Sequence, residues 1–265
     1  MQLRYRKFGQ GPEPLLLFHG IGQTGEECFR SYESELGDRC TLYVFDLPFH
    51  GVHGLPADPT RWRTGNHPIT PDEWQQKLSI FLEENNLTTF SVAGFSLGGR
   101  FALQTLQAFF PRIRKAFLIA PDGVKPHFVY RLATEVAPLR NIFRLIMRSP
   151  GVICDAIDGL NRLGVIDKDL VKIVHYTLSN SEKAMQVYLS WVNFRNLKAS
   201  RSLYKEDVEQ LNEKVFLFLG RFDQLITKKD IAPLGKLLRP ENVIYLPTGH
   251  INCPEKAASL LRNLL

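Results

Sequence analysis

Gly94-Phe95-Ser96-Leu97-Gly98-Gly99 stands where an apolar run, Phe90-Ser91-Val92-Ala93, gives way to the helical pattern Gly99-Arg100-Phe101-Ala102-Leu103. A serine there sits on a sharp strand-to-helix turn with its hydroxyl exposed. Gly94 and Gly98 occupy the places where a side chain would collide with neighbouring backbone, so G-x-S-x-G carries a mechanism. The pattern arises by chance in about one chain in ten of this length. Other residues must therefore supply the chemistry a serine needs.

A serine hydroxyl is a weak nucleophile at neutral pH. It requires an imidazole to take its proton and a carboxylate to hold that imidazole in one tautomer. Downstream, the buried-strand run Val215-Phe216-Leu217-Phe218-Leu219 precedes Gly220-Arg221-Phe222-Asp223, and the run Asn242 to Leu246 precedes Pro247-Thr248-Gly249-His250. Asp223 and His250 thus follow the carboxyl ends of strands, where open α/β sheets bind ligands. Asp122 also follows a strand run, Lys115 to Ala120, and competes as the acid. The Gly-x-x-Asp setting and the placement after the helical stretch of residues 122–205 favour Asp223.

Strand-like runs recur at Leu15–Phe18, Thr41–Phe45, Phe90–Ala93, Lys115–Ala120, Val215–Leu219 and Asn242–Leu246, mostly with helical stretches between them. Thr70-Pro71-Asp72-Glu73 has the pattern of a capping box and opens a helix running from Trp74 to Leu87. Short, fully apolar strands alternating with helices predict an α/β fold with a doubly wound, mostly parallel sheet covered on both faces. The alternation breaks between Asp122 and Lys205, where helical patterns dominate. The expected organisation is a core of residues 1–121 and 206–265 with an inserted helical lid over 122–205. Within the lid Leu139, Ile142, Phe143 and Ile146 fall on one helical stripe, with Arg140, Arg144 and Arg148 four apart on another. That pattern predicts a solvated charged face over a buried apolar one, in preference to a cationic surface for an anionic or lipid-like substrate.

The chain has 265 residues, 44% of them hydrophobic and 23% charged, ordinary values for a globular protein. No window approaches a membrane span, and Met1 to Arg6 reads as an alternating strand, not a secretory signal. Cys28, Cys40, Cys154 and Cys253 lack metal or C-x-x-C spacing, which predicts free, mostly buried thiols in a reduced, cytoplasmic protein. Nothing in the spacing of histidines, cysteines and carboxylates suggests a metal site, and no cofactor is expected. The net charge of +6 resides in residues 121–205, with 13 Lys/Arg against 7 Asp/Glu. No nucleic-acid motif accompanies it. The expected partner is a small-molecule substrate, partly hydrophobic and either neutral or anionic, with peripheral membrane contact through the basic lid as the lesser reading.

Over nearly its whole length the chain resembles the α/β-hydrolase fold superfamily, in its serine-nucleophile branch with a helical lid. The resemblance implies a serine hydrolase acting on a carboxylic ester or related acyl compound, with Ser96, Asp223 and His250 as the triad. Phe18-His19-Gly20-Ile21-Gly22 is similar to the family's oxyanion loop, which assigns the oxyanion donors to the backbone of Ile21 and Leu97. Asp46-Leu47-Pro48-Phe49-His50-Gly51 is similar to the D-x-x-G-H-G turn, with Phe49 in place of the usual glycine. His19 and His50 are expected to be structural. Gly98-Gly99-Arg100 is similar to the elbow of the menaquinone-pathway cyclohexadiene carboxylate synthases, a carbon–carbon lyase alternative in which Arg100 would bind a substrate carboxylate. A non-catalytic, ligand-binding member of the fold is the third reading. Apolar and aromatic lid residues, Phe143 and Trp191 among them, are expected to join Arg100 in the substrate pocket.

Overall fold

The computed structural model describes residues 3–54, 60–166, 168–200, 203 and 206–265. The expected lid boundary at Lys205 and the first two residues lie outside these. Strands β1 (Arg4–Phe8), β2 (Glu13–Phe18), β3 (Cys40–Asp46), β4 (Phe90–Phe95), β5 (Ile113–Ile119), β6 (Val215–Gly220) and β7 (Val243–Leu246) form one sheet in the order β1-β3-β2-β4-β5-β6-β7. Only the edge pair β1–β3 is antiparallel. Every residue of β4 is buried, which explains why its sequence reads as a continuous run and not as an alternation.

Helices α1 (Gly25–Cys28), α2 (Tyr32–Leu36), α3 (Thr60–Arg63), α4 (Pro71–Glu84) and α5 (Gly98–Ala108) accompany the first half of the sheet. At α4 the expected capping box is present: the Glu73 N–H donates to Thr70 Oγ1 at 3.1 Å, and the Thr70 N–H donates to the Glu73 carboxylate at 2.9 Å. The buried face of α4 carries Trp74, Leu78, Phe81 and Leu82, and the Trp74 indole donates to Thr105 Oγ1 of α5 at 3.0 Å.

Between β5 and β6 the described residues contain helices and no strand: α6 (Phe128–Glu135), α7 (Ala137–Ile146), α8 (Pro150–Arg162), α9 (Lys168–Thr177), α10 (Ser181–Asn193) and α11 (Val208–Lys214). Helices α12 (Lys228–Gly235) and α13 (Cys253–Leu264) complete the chain. The stripe expected to be buried on α7 is largely exposed: Leu139, Ile142 and Ile146 face solvent, and only Phe143 is covered. Arg140 is buried instead, donating to the carbonyls of Thr64 at 3.1 Å and Thr134 at 2.9 Å. Main-chain acceptors left open at the neighbouring helix end and loop satisfy a guanidinium better than they satisfy an aliphatic chain, which reverses the face that simple hydrophobicity selects.

Phe49 takes the left-handed backbone, φ +70°, that a glycine would adopt without strain. Its buried ring stacks on Phe194 with centroids 5.6 Å apart and meets Trp62 edge-on at 5.6 Å. The turn therefore keeps its shape, and the ring's burial offsets the strain.

Candidate active site

Strand β4 ends at Phe95, α5 starts at Gly98, and the turn between them holds Ser96 at φ +50°. The Ser96 N–H donates to the Ile119 carbonyl at 3.0 Å, and the Asp122 N–H donates to the Ser96 carbonyl at 2.8 Å, so the end of β5 and the loop after it clamp the turn. A Cβ at Gly98 would lie 2.0 Å from the Phe18 carbonyl oxygen, and one at Gly94 would lie 2.5 Å from that of Gly98. Both glycines are required for α5 to pass this close to β2 and β4.

The three predicted chemical groups meet at this turn. His250 Nε2 lies 2.9 Å from Ser96 Oγ, and His250 Nδ1 lies 2.7 Å from Asp223 Oδ2. The other Asp223 oxygen accepts the Leu225 N–H at 2.8 Å and the Ile226 N–H at 2.9 Å. With Oδ1 committed to backbone donors and the carboxylate buried, Oδ2 is left to take the imidazole N–H, which leaves Nε2 as the acceptor facing the serine. The imidazole also packs on the Phe95 ring, centroids 5.0 Å apart. The competing acid, Asp122, is turned elsewhere and pairs with Arg100.

The loop after β2 is fixed by His19. Its Nδ1 donates to the Gly20 carbonyl at 2.6 Å, and its Nε2 accepts the Leu47 N–H at 2.9 Å, tying the loop of Ile21 to the loop of Asp46. The second buried ring, His50, lies 5.2 Å away, donates to the Pro48 carbonyl at 3.0 Å, and has no partner at Nε2 among the described residues. Burial lowers His19 to about 4. Burial, reinforced by His19, lowers His50 to about 3. Unfolded, both rings titrate near 6.5. Below that pH the unfolded chain binds protons that the folded chain refuses, so each ring shifts the folding equilibrium about tenfold per pH unit toward unfolding until its folded value is reached. Thermal melts at pH 7 and pH 5 are expected to differ by many degrees, and His50→Asn should flatten that dependence. An unchanged slope in the variant would assign the acid sensitivity to other groups.

A cavity of about 450 Å³ opens onto Ser96 and His250. The core contributes Ile21, Gln23, Phe95, Leu225 and Ile251 to its wall, and α9 contributes Lys172, Ile173, Tyr176 and Thr177. The Tyr176 hydroxyl donates to the Gly22 carbonyl at 3.2 Å, joining α9 to the loop of Ile21. Three expected pocket residues are corrected here. Arg100 is fully buried away from the cavity: Nε and Nη2 bond both oxygens of Asp122 at 2.6 and 3.0 Å, Nη1 donates to the carbonyls of Leu197 and Phe194 at 3.2 and 3.4 Å, and the guanidinium lies over the Tyr130 ring at 4.4 Å. Burial opposes its charge, but Asp122 and Tyr130 together outweigh that and hold Arg100 above its ordinary value. Phe143 and Trp191 pack on each other at 5.5 Å inside the helical segment and do not line the cavity. The residues of α9 take their place. The sequence marks them only by the spacing of Lys172, Ile173, Tyr176 and Thr177, which is compatible with any amphipathic helix.

The four cysteines are free. Burial pushes the Cys28 and Cys253 thiols up to about 12 and Cys40 up to about 11, so none of these competes with Ser96 as a nucleophile.

A family model described as alpha/beta hydrolase fold matches residues 13–140. Among solved structures, an esterase from Thermogutta terrifontis superposes with a TM-score of 0.68 at 17% identity, covering 98% of this chain and 92% of its own. The enol-lactonase from Burkholderia xenovorans LB400 gives 0.64 at 16% identity, with coverage of 99% and 95%. The meta-cleavage product hydrolase from Pseudomonas fluorescens IP01 gives 0.60 at 19% identity, with coverage of 99% and 93%. No curated protein sequence matches the chain. Likeness at these identities establishes the fold, and chemistry has to be argued from the site.

Proposed function

We propose that this chain, a member of the α/β-hydrolase fold superfamily, is a serine hydrolase that cleaves carboxylic esters of neutral, apolar acyl groups through an acyl-enzyme on Ser96. The observation that carries this reading is the continuous hydrogen-bond chain Asp223–His250–Ser96 at 2.7 and 2.9 Å, ending at the floor of a mainly apolar cavity. His250 Nε2 takes the Ser96 proton as Oγ attacks the carbonyl carbon. Asp223 holds the imidazole in the required tautomer and stabilises the imidazolium that forms. The oxyanion of the tetrahedral intermediate is received by the backbone N–H groups of Leu97 and Ile21, each contributing about 3 kcal/mol in sites of this kind. His250 then returns its proton to the leaving alcohol, and a water activated by the same nitrogen releases the acid.

The burial of Arg100 argues against the substrate-carboxylate role that the likeness to the carboxylate synthases implied for it. The cavity wall is then dominated by aliphatic and aromatic groups, which favours neutral substrates. A fluorophosphonate probe is expected to label the wild type and not Ser96→Ala. p-Nitrophenyl esters of short to medium neutral chains should be hydrolysed faster than an anionic ester of matched size. A folded wild type that is not labelled would make the protein a ligand-binding member of the fold, and an anionic preference would overturn the substrate class.

A further inference from the structure

Helices α6 to α8 turn a large amount of apolar side chain to solvent. Val152, Ala156 and Leu160 of α8, with Leu163 at its C-cap, recur at i, i+4, i+8 and i+11, which places them within an arc of about 80°, and all four are exposed. No residue of α8 is buried. Leu139, Ile142, Leu145 and Ile146 share an arc of about 120° on α7, on the side away from buried Arg140, Phe143 and Met147. Phe128 and Val129 are exposed at the start of α6. The turn after α8 carries Leu163 and Val165, which are 76% and 65% exposed. Exposed apolar surface on this scale marks a docking face.

Charge identifies what docks. The segment that carries this face, residues 121–205, holds 13 Lys/Arg against 7 Asp/Glu. Exposed Lys125, Arg131, Arg148, Arg162 and Lys168 are among the cations, and in sequence Arg162 precedes the Leu163–Ile166 turn while Asp167 and Lys168 follow it. Of the acidic groups on α8, Asp158 is turned to α9, where it bonds His175 at 2.9 Å, and Asp155 is exposed. A second copy of the chain would set one cationic segment against another. An apolar face on a cationic segment fits an anionic bilayer, in which aliphatic side chains enter the acyl boundary while arginines and lysines meet lipid phosphates.

We propose that the outer face of α6, α7 and α8, led by the Leu163–Ile166 turn, is a docking surface for an anionic lipid membrane. Co-sedimentation of the full chain with vesicles of equal parts phosphatidylglycerol and phosphatidylcholine, and with phosphatidylcholine alone, tests it. The expected result is binding to the anionic vesicles only. The triple variant Val152→Ser, Leu163→Ser, Val165→Ser should lower that partition about tenfold or more, with melting temperature and hydrolysis of a water-soluble ester unchanged. Arg148→Glu with Arg162→Glu should lower it similarly. The proposal is overturned if the wild type stays in the supernatant, if it binds neutral vesicles equally, or if the serine variant binds like the wild type, which would mean adsorption by charge alone. It is also overturned if sedimentation velocity finds a dimer that the serine substitutions dissolve, because a second copy would then cover this face.

Discussion

Asp223→Asn is expected to lower kcat for ester hydrolysis by about 10⁴-fold while leaving KM and the melting temperature nearly unchanged. The reason lies in how fully Asp223 is committed. One oxygen accepts the N–H groups of Leu225 and Ile226, and the other faces His250 Nδ1. An asparagine keeps its carbonyl oxygen toward the two backbone donors, so its amide NH₂ must face the imidazole. Nδ1 then becomes an acceptor, the proton moves to Nε2, and His250 can no longer take a proton from Ser96. The fold is spared because the backbone bonds survive. Steady-state kinetics with a p-nitrophenyl ester, beside a thermal melt, check both halves. A loss smaller than tenfold with an intact fold would remove Asp223 from the catalytic role.

Arg100→Met should destabilise the protein by about 3 kcal/mol, the low end for a broken buried ion pair, because it leaves the half-buried Asp122 carboxylate uncompensated. The variant strips Asp122 of both its guanidinium bonds, and the carbonyls of Phe194 and Leu197 lose their donor. A fall in melting temperature of about 6–10 °C follows for a chain of this size. Adding Asp122→Asn should recover part of the loss, because the unpaired charge is then gone. The ratio of activities on neutral and anionic esters should not move, since Arg100 does not reach the cavity. A large shift in that ratio with an unchanged melting temperature would return Arg100 to the substrate site.

These two residues also mark where sequence reasoning succeeds and where it stops. The convergence of Ser96, Asp223 and His250 was legible because each follows a short apolar strand, and strand ends in a parallel sheet converge on one edge whatever covers them. His19 was read as structural from its place at the end of a strand run, and His50 from the resemblance of its turn to that of the family. The pocket was not legible. Arg100 beside the nucleophile, and the aromatic residues of the helical segment, looked suited to substrate. Whether a helical residue faces a cavity, a neighbouring helix or solvent depends on how helices are placed in space, and local periodicity does not encode that. Helix α7 makes the same point, since its buried arc is chosen by open carbonyls near Arg140 and not by its aliphatic stripe.

Phe194 has a wider consequence. Its carbonyl takes a bond from Arg100, and its ring packs against Phe101 at 4.9 Å and against Phe49 at 5.6 Å. One fully buried residue at the end of α10 is thus held by side chains from α5 and from the loop after β3. A helical segment inserted between two strands could have been a separate cooperative unit, melting early and refolding alone. Sharing its innermost aromatic residue with the sheet-bearing part ties the two free energies together, so the interruption in the order of strands along the chain is not an interruption in cooperativity.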